Sequence, residues 1–290
     1  MSLNSVNTNM GAMIALESLN RTNADLAATQ KRVSTGYRVA DATDDGAAYA
    51  VAQSVRSTVS ALTTANQQLG NVQGLLATTQ SGLNDISNTM ASMRNVLVSL
   101  SDGNVTGNQR TQYVAQYKSL LANVQSFIKD AGYGGKTLIG AITGSSGTFS
   151  AVNTVRNETG ATYGIVTYNG STLYNAITIS AILAHTGATQ AASVAALLTT
   201  GSTGGTFIVQ MNNVGGALNT VGSEVNYVKN QITYNSDKID ALNTGLGSLV
   251  DADLAKESAQ LQALQIRQQL GTQALSLANQ APQTLLSLFK

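Results

Sequence analysis

Between positions 51 and 100 apolar residues recur in alternating steps of three and four: Val51, Val55, Thr58, Leu62, Ala65, Leu69, Val72, Leu76, Thr79, Leu83, Ile86, Met90, Met93, Leu97 and Leu100. Only Thr58 and Thr79 are polar, and Gln, Asn, Ser and Thr fill most positions between. So narrow a stripe predicts a long helix packed lengthwise against other helices, not the wall of a globular core. Fifty residues at ~1.5 Å each make a rod of roughly 75 Å, and such a rod needs a partner of similar length. The partner is Met211, Val214, Leu218, Val221, Val225, Val228, Ile232, Asn235, Ile239, Leu242, Leu246 and Leu249, with the same steps and one polar member. A lone Asn in such a seam fixes register. The predicted seam thus joins Leu62, Leu69, Leu76, Leu83 and Ile86 to Val225, Val228, Ile232 and Ile239.

The flanking segments repeat the theme more weakly. Over 1–34, Ala12, Leu19, Leu26 and Val33 recur at seven, with Leu16 between the first two. Asn residues interrupt the stripe, so the helix is marginal alone in water. Gly36 suits a left-handed helix end, and Asp44 or Asp45 suits a cap on the rod that follows. The rod ends near Asp102-Gly103. A shorter helix over about 108–130, with Tyr113, Tyr117, Leu120, Val124 and Phe127 on one face, turns back antiparallel to it. After Leu249 the phase breaks at Asp251 and Asp253, which marks a bend or a change of partner. A further amphipathic helix over 250–276 carries Leu254, Leu261, Leu264 and Leu270, and an apolar tail with Leu285 and Leu288 follows Pro282. From 132 to about 205, Gly, Thr, Ser and Tyr rise. The segments 147–152 and 163–168 read as strands, Asn169-Gly170 as a hairpin turn, and 191–198 as a short helix. The fold class is mainly α: a long antiparallel helical bundle built from both chain ends, with a small middle insert containing β-hairpins. The near-palindromic order puts both chain ends at one end of the bundle and the middle at the other.

Composition sharpens the picture. The net charge is +1 and 11% of residues are charged, with Lys and Arg scattered singly apart from the pair Lys31-Arg32. No basic face is available for nucleic acid, and no apolar run reaches membrane-spanning length. Met1-Ser2-Leu3-Asn4-Ser5 lacks the basic and apolar regions of a Sec-type signal. Without Cys there is no disulfide and no thiolate metal site. Surfaces so poor in charge and rich in Gln, Asn, Ser and Thr suit contact with copies of the same chain, because no unpaired charge is buried when they meet.

Little in the chain points to catalysis or to a cofactor. His185 is the only His. The run Asp130-Ala131-Gly132-Tyr133-Gly134-Gly135-Lys136-Thr137 approaches a P-loop, but Asp130 stands where the first Gly belongs and a helix precedes it, so a Gly turn is the better reading. Asp44 and Asp45 read as helix caps, not as an acid pair.

Six blocks, three near each end, carry a family resemblance. Near the start these are Ser5-Val6-Asn7-Thr8-Asn9, Ser34-Thr35-Gly36-Tyr37-Arg38-Val39 and Ala42-Thr43-Asp44-Asp45-Gly46-Ala47-Ala48. Near the end they are Asp251-Ala252-Asp253-Leu254-Ala255-Lys256-Glu257-Ser258-Ala259, Gln268-Gln269-Leu270-Gly271-Thr272-Gln273-Ala274-Leu275 and Ala278-Asn279-Gln280-Ala281-Pro282-Gln283-Thr284-Leu285-Leu286-Ser287-Leu288. The chain resembles bacterial flagellin along essentially its whole length. The resemblance implies a non-enzymatic extracellular filament subunit used for swimming and exported unfolded through the flagellar type III apparatus. It implies an inner coiled coil, D0, from 1–45 with 250–290, whose assembly residues are Leu16, Leu19, Leu26, Val33, Leu254, Leu261, Leu264, Leu270, Leu285 and Leu288. It implies rods, D1, from 46–140 with 206–249, and a hairpin with a small variable insert at 141–205. The implied partners are other copies of the chain, the export apparatus, an export chaperone, and hook-associated and cap proteins, with no nucleic acid, membrane insertion or cofactor. The alternatives are a hook–filament junction protein, or an adhesin-like binding module in the middle region. Two departures stand out. Ser248 occupies a place where flagellins carry Arg. In the patch read by the flagellin-sensing immune receptor Arg94 is kept, but Ser92 and Asn95 replace Arg and Glu, which predicts weak or no receptor activation.

Overall fold

The computed structural model describes residues 8–140, 142–199 and 206–287, with side chains described up to 280. The chain falls into two compact units: the described residues of Met1–Val59 with Asp240–Lys290, and those of Ser60–Ile239. Two long helices contribute to both units, α2 (Gly46–Ser101) and α7 (Thr206–Val250).

In the first unit α1 (Met10–Thr35) pairs with α8 (Leu254–Ser287). Asn9 caps α1 by accepting the Ala12 N–H, and Gly36 closes it at φ 73°. That left-handed conformation costs Gly little. Asp45 caps α2 by accepting the N–H groups of Ala47 and Ala48, which settles the choice between the two aspartates. Val39, Ala48, Ala52 and Val250 form a small core here. This corrects the start of the predicted rod seam. Val51 is exposed and Val55 and Thr58 are half-buried, while Ala48 and Ala52 face inward. The partner in this unit is a close-packed loop, and small Ala side chains let it approach.

In the second unit every predicted seam position of α2 from Leu62 to Leu100 is buried. Thr79, the polar member, turns its hydroxyl back onto the Leu75 carbonyl at 2.7 Å. Along α7 buried Val214, Val221, Val228 and Asn235 alternate with half-buried Leu218, Val225, Ile232 and Ile239. Asn235 donates to Asn66 Oδ1 at 2.8 Å on α2 and to the Arg156 carbonyl at 3.0 Å, and Gln231 donates to Asn235 Oδ1 at 3.0 Å. The polar seam position therefore locks α2, α7 and the insert in one register.

Helix α3 (Gly107–Asp130) starts at a reciprocal capping box between Thr106 and Gln109. It runs back along α2: Arg110 near its start binds the Leu100 carbonyl, and Phe127 and Ala131 lie against Gly82. Arg110 is buried and donates to the carbonyls of Leu100 at 2.9 Å and Asp102 at 2.6 Å, so a cation closes the negative end of α2. Nothing in the periodicity marks this residue.

The insert begins with β1 (Gly132–Tyr133) and β2 (Lys136–Thr137), antiparallel with Gly132 opposite Thr137, and β3 (Thr148–Phe149) adds parallel to β2. The P-loop-like run is the turn between β1 and β2, with Gly134 and Gly135 at positive φ. β4 (Val152–Val155) and β5 (Thr162–Ile165) form a second hairpin, Val152 opposite Ile165. Its turn lies at 156–161, not at Asn169-Gly170. Asn169 instead caps α4 (Gly170–Ile177), accepting from Ser171 and Thr172 N–H groups. Asn accepts at a helix start as readily as it turns a hairpin, so the dipeptide alone was ambiguous. Helices α5 (Ser180–Leu183) and α6 (Gly187–Leu198) follow. The insert is thus more helical than its Gly- and Thr-rich texture predicts. The terminal helix is longer than predicted too: α8 continues past Pro282 to Ser287.

Candidate assembly interface

The pairing of α1 with α8 is a two-sided heptad seam. Positions 12, 15, 19, 22, 26, 29 and 33 of α1 are half-buried or buried, as are 257, 261, 264, 268, 271, 275 and 278 of α8. Both sets alternate steps of three and four, the spacing of a left-handed coiled coil. The pair is antiparallel: Asn9 Nδ2 donates to the Ala278 carbonyl at 2.7 Å, Gln268 donates to Asn23 at 2.8 Å, and Arg32 meets Glu257 at 3.4 Å. Gly271 lies under Leu19, where a Cβ would come within 3.2 Å of Leu19 Cδ1. Gly and Thr at such positions let the backbones come close.

Leu19, Leu26, Val33, Leu261 and Leu264 lie in this intrachain seam, with Leu264 the most buried. Leu16, Leu254 and Leu270 do not; all three are exposed. The side chain of Leu285 and the whole of Leu288 lie outside what is described. Thr29 and Glu257 belong to the seam and are absent from a reading that counted only apolar residues.

The loop between α1 and α2 straps the junction of α7 and α8. Arg38 N–H donates to the Val250 carbonyl at 2.7 Å and its guanidinium to Leu249 at 2.6 Å, while Ala252 N–H donates to the Gly36 carbonyl at 2.9 Å. Lys31 holds the loop itself, 2.6 Å from Asp41 and 2.9 Å from Asp44. Its ammonium draws the Asp41 carboxyl well below the usual range, helped by the Thr43 hydroxyl and N–H. Asp44 is lowered first by Lys31 and then by the Ala40 N–H. The family-like block around these aspartates is therefore a loop latch as well as a cap.

The outer faces differ between the two helices. On α8, Ala259, Ala263, Ile266, Leu270, Gln273 and Leu277 are all exposed and repeat the heptad steps. They sit two residues, about 200°, from the intrachain seam, so α8 carries a second stripe on its opposite side. On α1 the exposed apolar residues Met10, Met13, Ile14 and Leu16 cover only the first turns, and Glu17, Arg21 and Asp25 follow. Contiguous exposed apolar side chains mark a contact surface. Ser92, Arg94 and Asn95 are exposed on α2, between the buried Met90, Met93 and Leu97. His185 is exposed between α5 and α6, and among the described residues no three His, Cys, Asp or Glu side chains cluster as metal ligands. No described helix is long and apolar enough to cross a membrane.

Paired terminal helices, long seamed helices and an exposed apolar stripe on α8 define a mainly α-helical bundle protein. The bacterial flagellin N-terminal helical region matches residues 6–143, and the C-terminal helical region matches 204–289. Flagellin FljK of Caulobacter vibrioides is 31% identical over the full length of both chains. A flagellin of Brucella melitensis biotype 1 is 33% identical over 99% of each. The chain belongs to the bacterial flagellin family, and is a structural subunit of the extracellular flagellar filament. A solved chain from Vibrio parahaemolyticus, described as flagellar hook-associated, shares the fold at a TM-score of 0.60 over 72% of this chain and all of its own. At 18% identity that likeness speaks to architecture alone. The junction-protein alternative is not favoured, because the full-length relatives above are flagellins.

Proposed function

We propose that the outer stripe of α8 and the first turns of α1 are the surfaces through which this subunit meets its neighbours in the filament. The observation that carries this is the row Ile266, Leu270 and Leu277, exposed at heptad spacing opposite the seam to α1. In this reading 1–45 with 250–290 form the inner D0 layer, 46–140 with 206–249 the D1 rods, and 141–205 a small outer part. The subunit performs no catalysis. Its further partners are the export apparatus, an export chaperone, and the hook-associated and cap proteins. The replaced residues Ser92 and Asn95 beside Arg94 make it a poor ligand for the flagellin-sensing receptor. A reporter-cell response equal to that of a receptor-active flagellin would sink that part.

Purified chain seeded with filament fragments tests the main reading. Long filaments should appear by electron microscopy. Deletion of residues 269–290 should abolish growth while leaving the second unit folded, since that unit's core lies wholly within 60–239. Normal growth of the truncated chain would refute the assignment of the terminal helices to subunit contacts.

A further inference from the structure

Glu224 on α7 is a buried carboxyl. It is 4% exposed. One oxygen accepts the Val166 N–H at 2.8 Å, just after the end of β5, and the other is shut off from solvent with no hydrogen-bond partner. Among the described residues no Lys, Arg or His stands within ion-pairing distance of it. Among the described residues the phenol of Tyr163 of β5 interacts with it, and the Tyr163 ring stacks on that of Tyr227 of α7 at 4.1 Å. The phenols bring no positive charge.

The two ends of the β4–β5 hairpin are therefore held differently. At its turn, the Arg156 carbonyl accepts from Gln231 at 3.2 Å and from Asn235 at 3.0 Å, and Glu158 pairs with Lys238. The Lys238 ammonium lowers the Glu158 carboxyl, which favours the ionised, paired form at this end. At the base, the hairpin's hydrogen bond to α7 runs through Glu224. An ionised carboxylate is the stronger acceptor, but burying it with one oxygen unpaired costs more than the single N–H returns. Burial accordingly pushes Glu224 above the ordinary glutamate range, and the Val166 N–H only partly reverses this.

We propose that Glu224 is a proton-operated clasp at the base of the β4–β5 hairpin, tight when its carboxyl is protonated and looser when it is ionised. The direction follows from linkage. A carboxyl raised in the folded state contributes stability that is fully present below its unfolded pKa, and that is lost as pH rises through the raised value. A subunit in an extracellular filament meets the pH of the medium directly, so the grip of the hairpin on the rod follows that pH. The proposal goes beyond the filament reading and rests on the burial of Glu224, its one hydrogen bond to Val166 and its unpaired second oxygen.

Amide hydrogen exchange on the full-length monomer tests it, at about pH 4 and about pH 8, below and above the ordinary glutamate value of about 4.3. After correction for intrinsic exchange, protection at Val166 and across β5 should fall towards the higher pH in the native chain. Glu224→Gln keeps an acceptor for the Val166 N–H and removes the charge, so its protection should be flat. Titration of the Glu224 carboxyl carbon by NMR gives a readout that needs no variant, and its midpoint should lie above that of an ordinary glutamate. A midpoint at or below the ordinary value, or an equal loss of protection in Glu224→Gln, overturns the clasp.

Discussion

Leu270 lies on the face of α8 turned away from α1 and is 59% exposed. Full burial of a leucine side chain is worth about 1.5–3 kcal/mol, so covering the exposed share on assembly contributes about 1–2 kcal/mol per subunit. Leu270→Ala removes most of that, about 1 kcal/mol or slightly more. At about 1.4 kcal/mol per tenfold, the critical concentration for filament growth should rise about five- to tenfold. Leu270→Asp goes further, because it places a carboxylate in a contact that has become dry, at several kcal/mol, and it should stop elongation. Neither change touches the α1–α8 seam, so monomer stability should move by no more than about 0.5 kcal/mol. The assay is seeded growth followed by sedimentation, reading the subunit left in solution. Leu264→Ala is the contrasting variant: Leu264 is 4% exposed within the seam, and its loss should loosen α1 from α8 in the monomer by about 2–4 kcal/mol. An unchanged critical concentration for Leu270→Ala, with the monomer intact, would refute the idea that this stripe is covered in the filament.

Asn235→Ala removes two donated bonds and one accepted bond from a buried seam position. It should destabilise the second unit by about 2–3 kcal/mol in urea unfolding, and a loss below about 0.5 kcal/mol would show the register lock to be inert. Gly216 lies within α7 with open space where a Cβ would stand. Gly216→Ala should therefore stabilise the monomer by about 0.5–1 kcal/mol, and a destabilised monomer would count against that placement. Asp41 and Asp44 are lowered by Lys31, so their contribution is present above the ordinary carboxylate range and is lost as pH falls through the depressed values. The Asp41 carboxyl should titrate below an ordinary aspartate by NMR and move back towards it in Lys31→Met; a midpoint indifferent to Lys31 would contradict the latch.

Local pattern alone determined a good deal of this protein. The spacing of Leu62 through Leu100, and of Met211 through Leu249, fixed two long helices and their inward faces. Heptad periodicity is a property of the helix itself and needs no knowledge of the partner beyond its being another helix. The terminal blocks around Asp44 and Gln280 fixed the family for a similar reason, since they are contiguous in the chain. Tertiary structure decided what depends on residues distant in sequence. It chose Ala48 and Ala52 over Val51 as the inward positions where α2 meets a strapped loop, and made Asn169 a helix cap where a hairpin turn was equally legible. It divided the leucines of the terminal helices into an intrachain seam, with Leu19 and Leu264, and an outer stripe with Leu270. Glu224 and Arg110 show the limit most clearly. A charged residue in a helix reads as a solvated face, and only the elements folded over it reveal that water has been excluded.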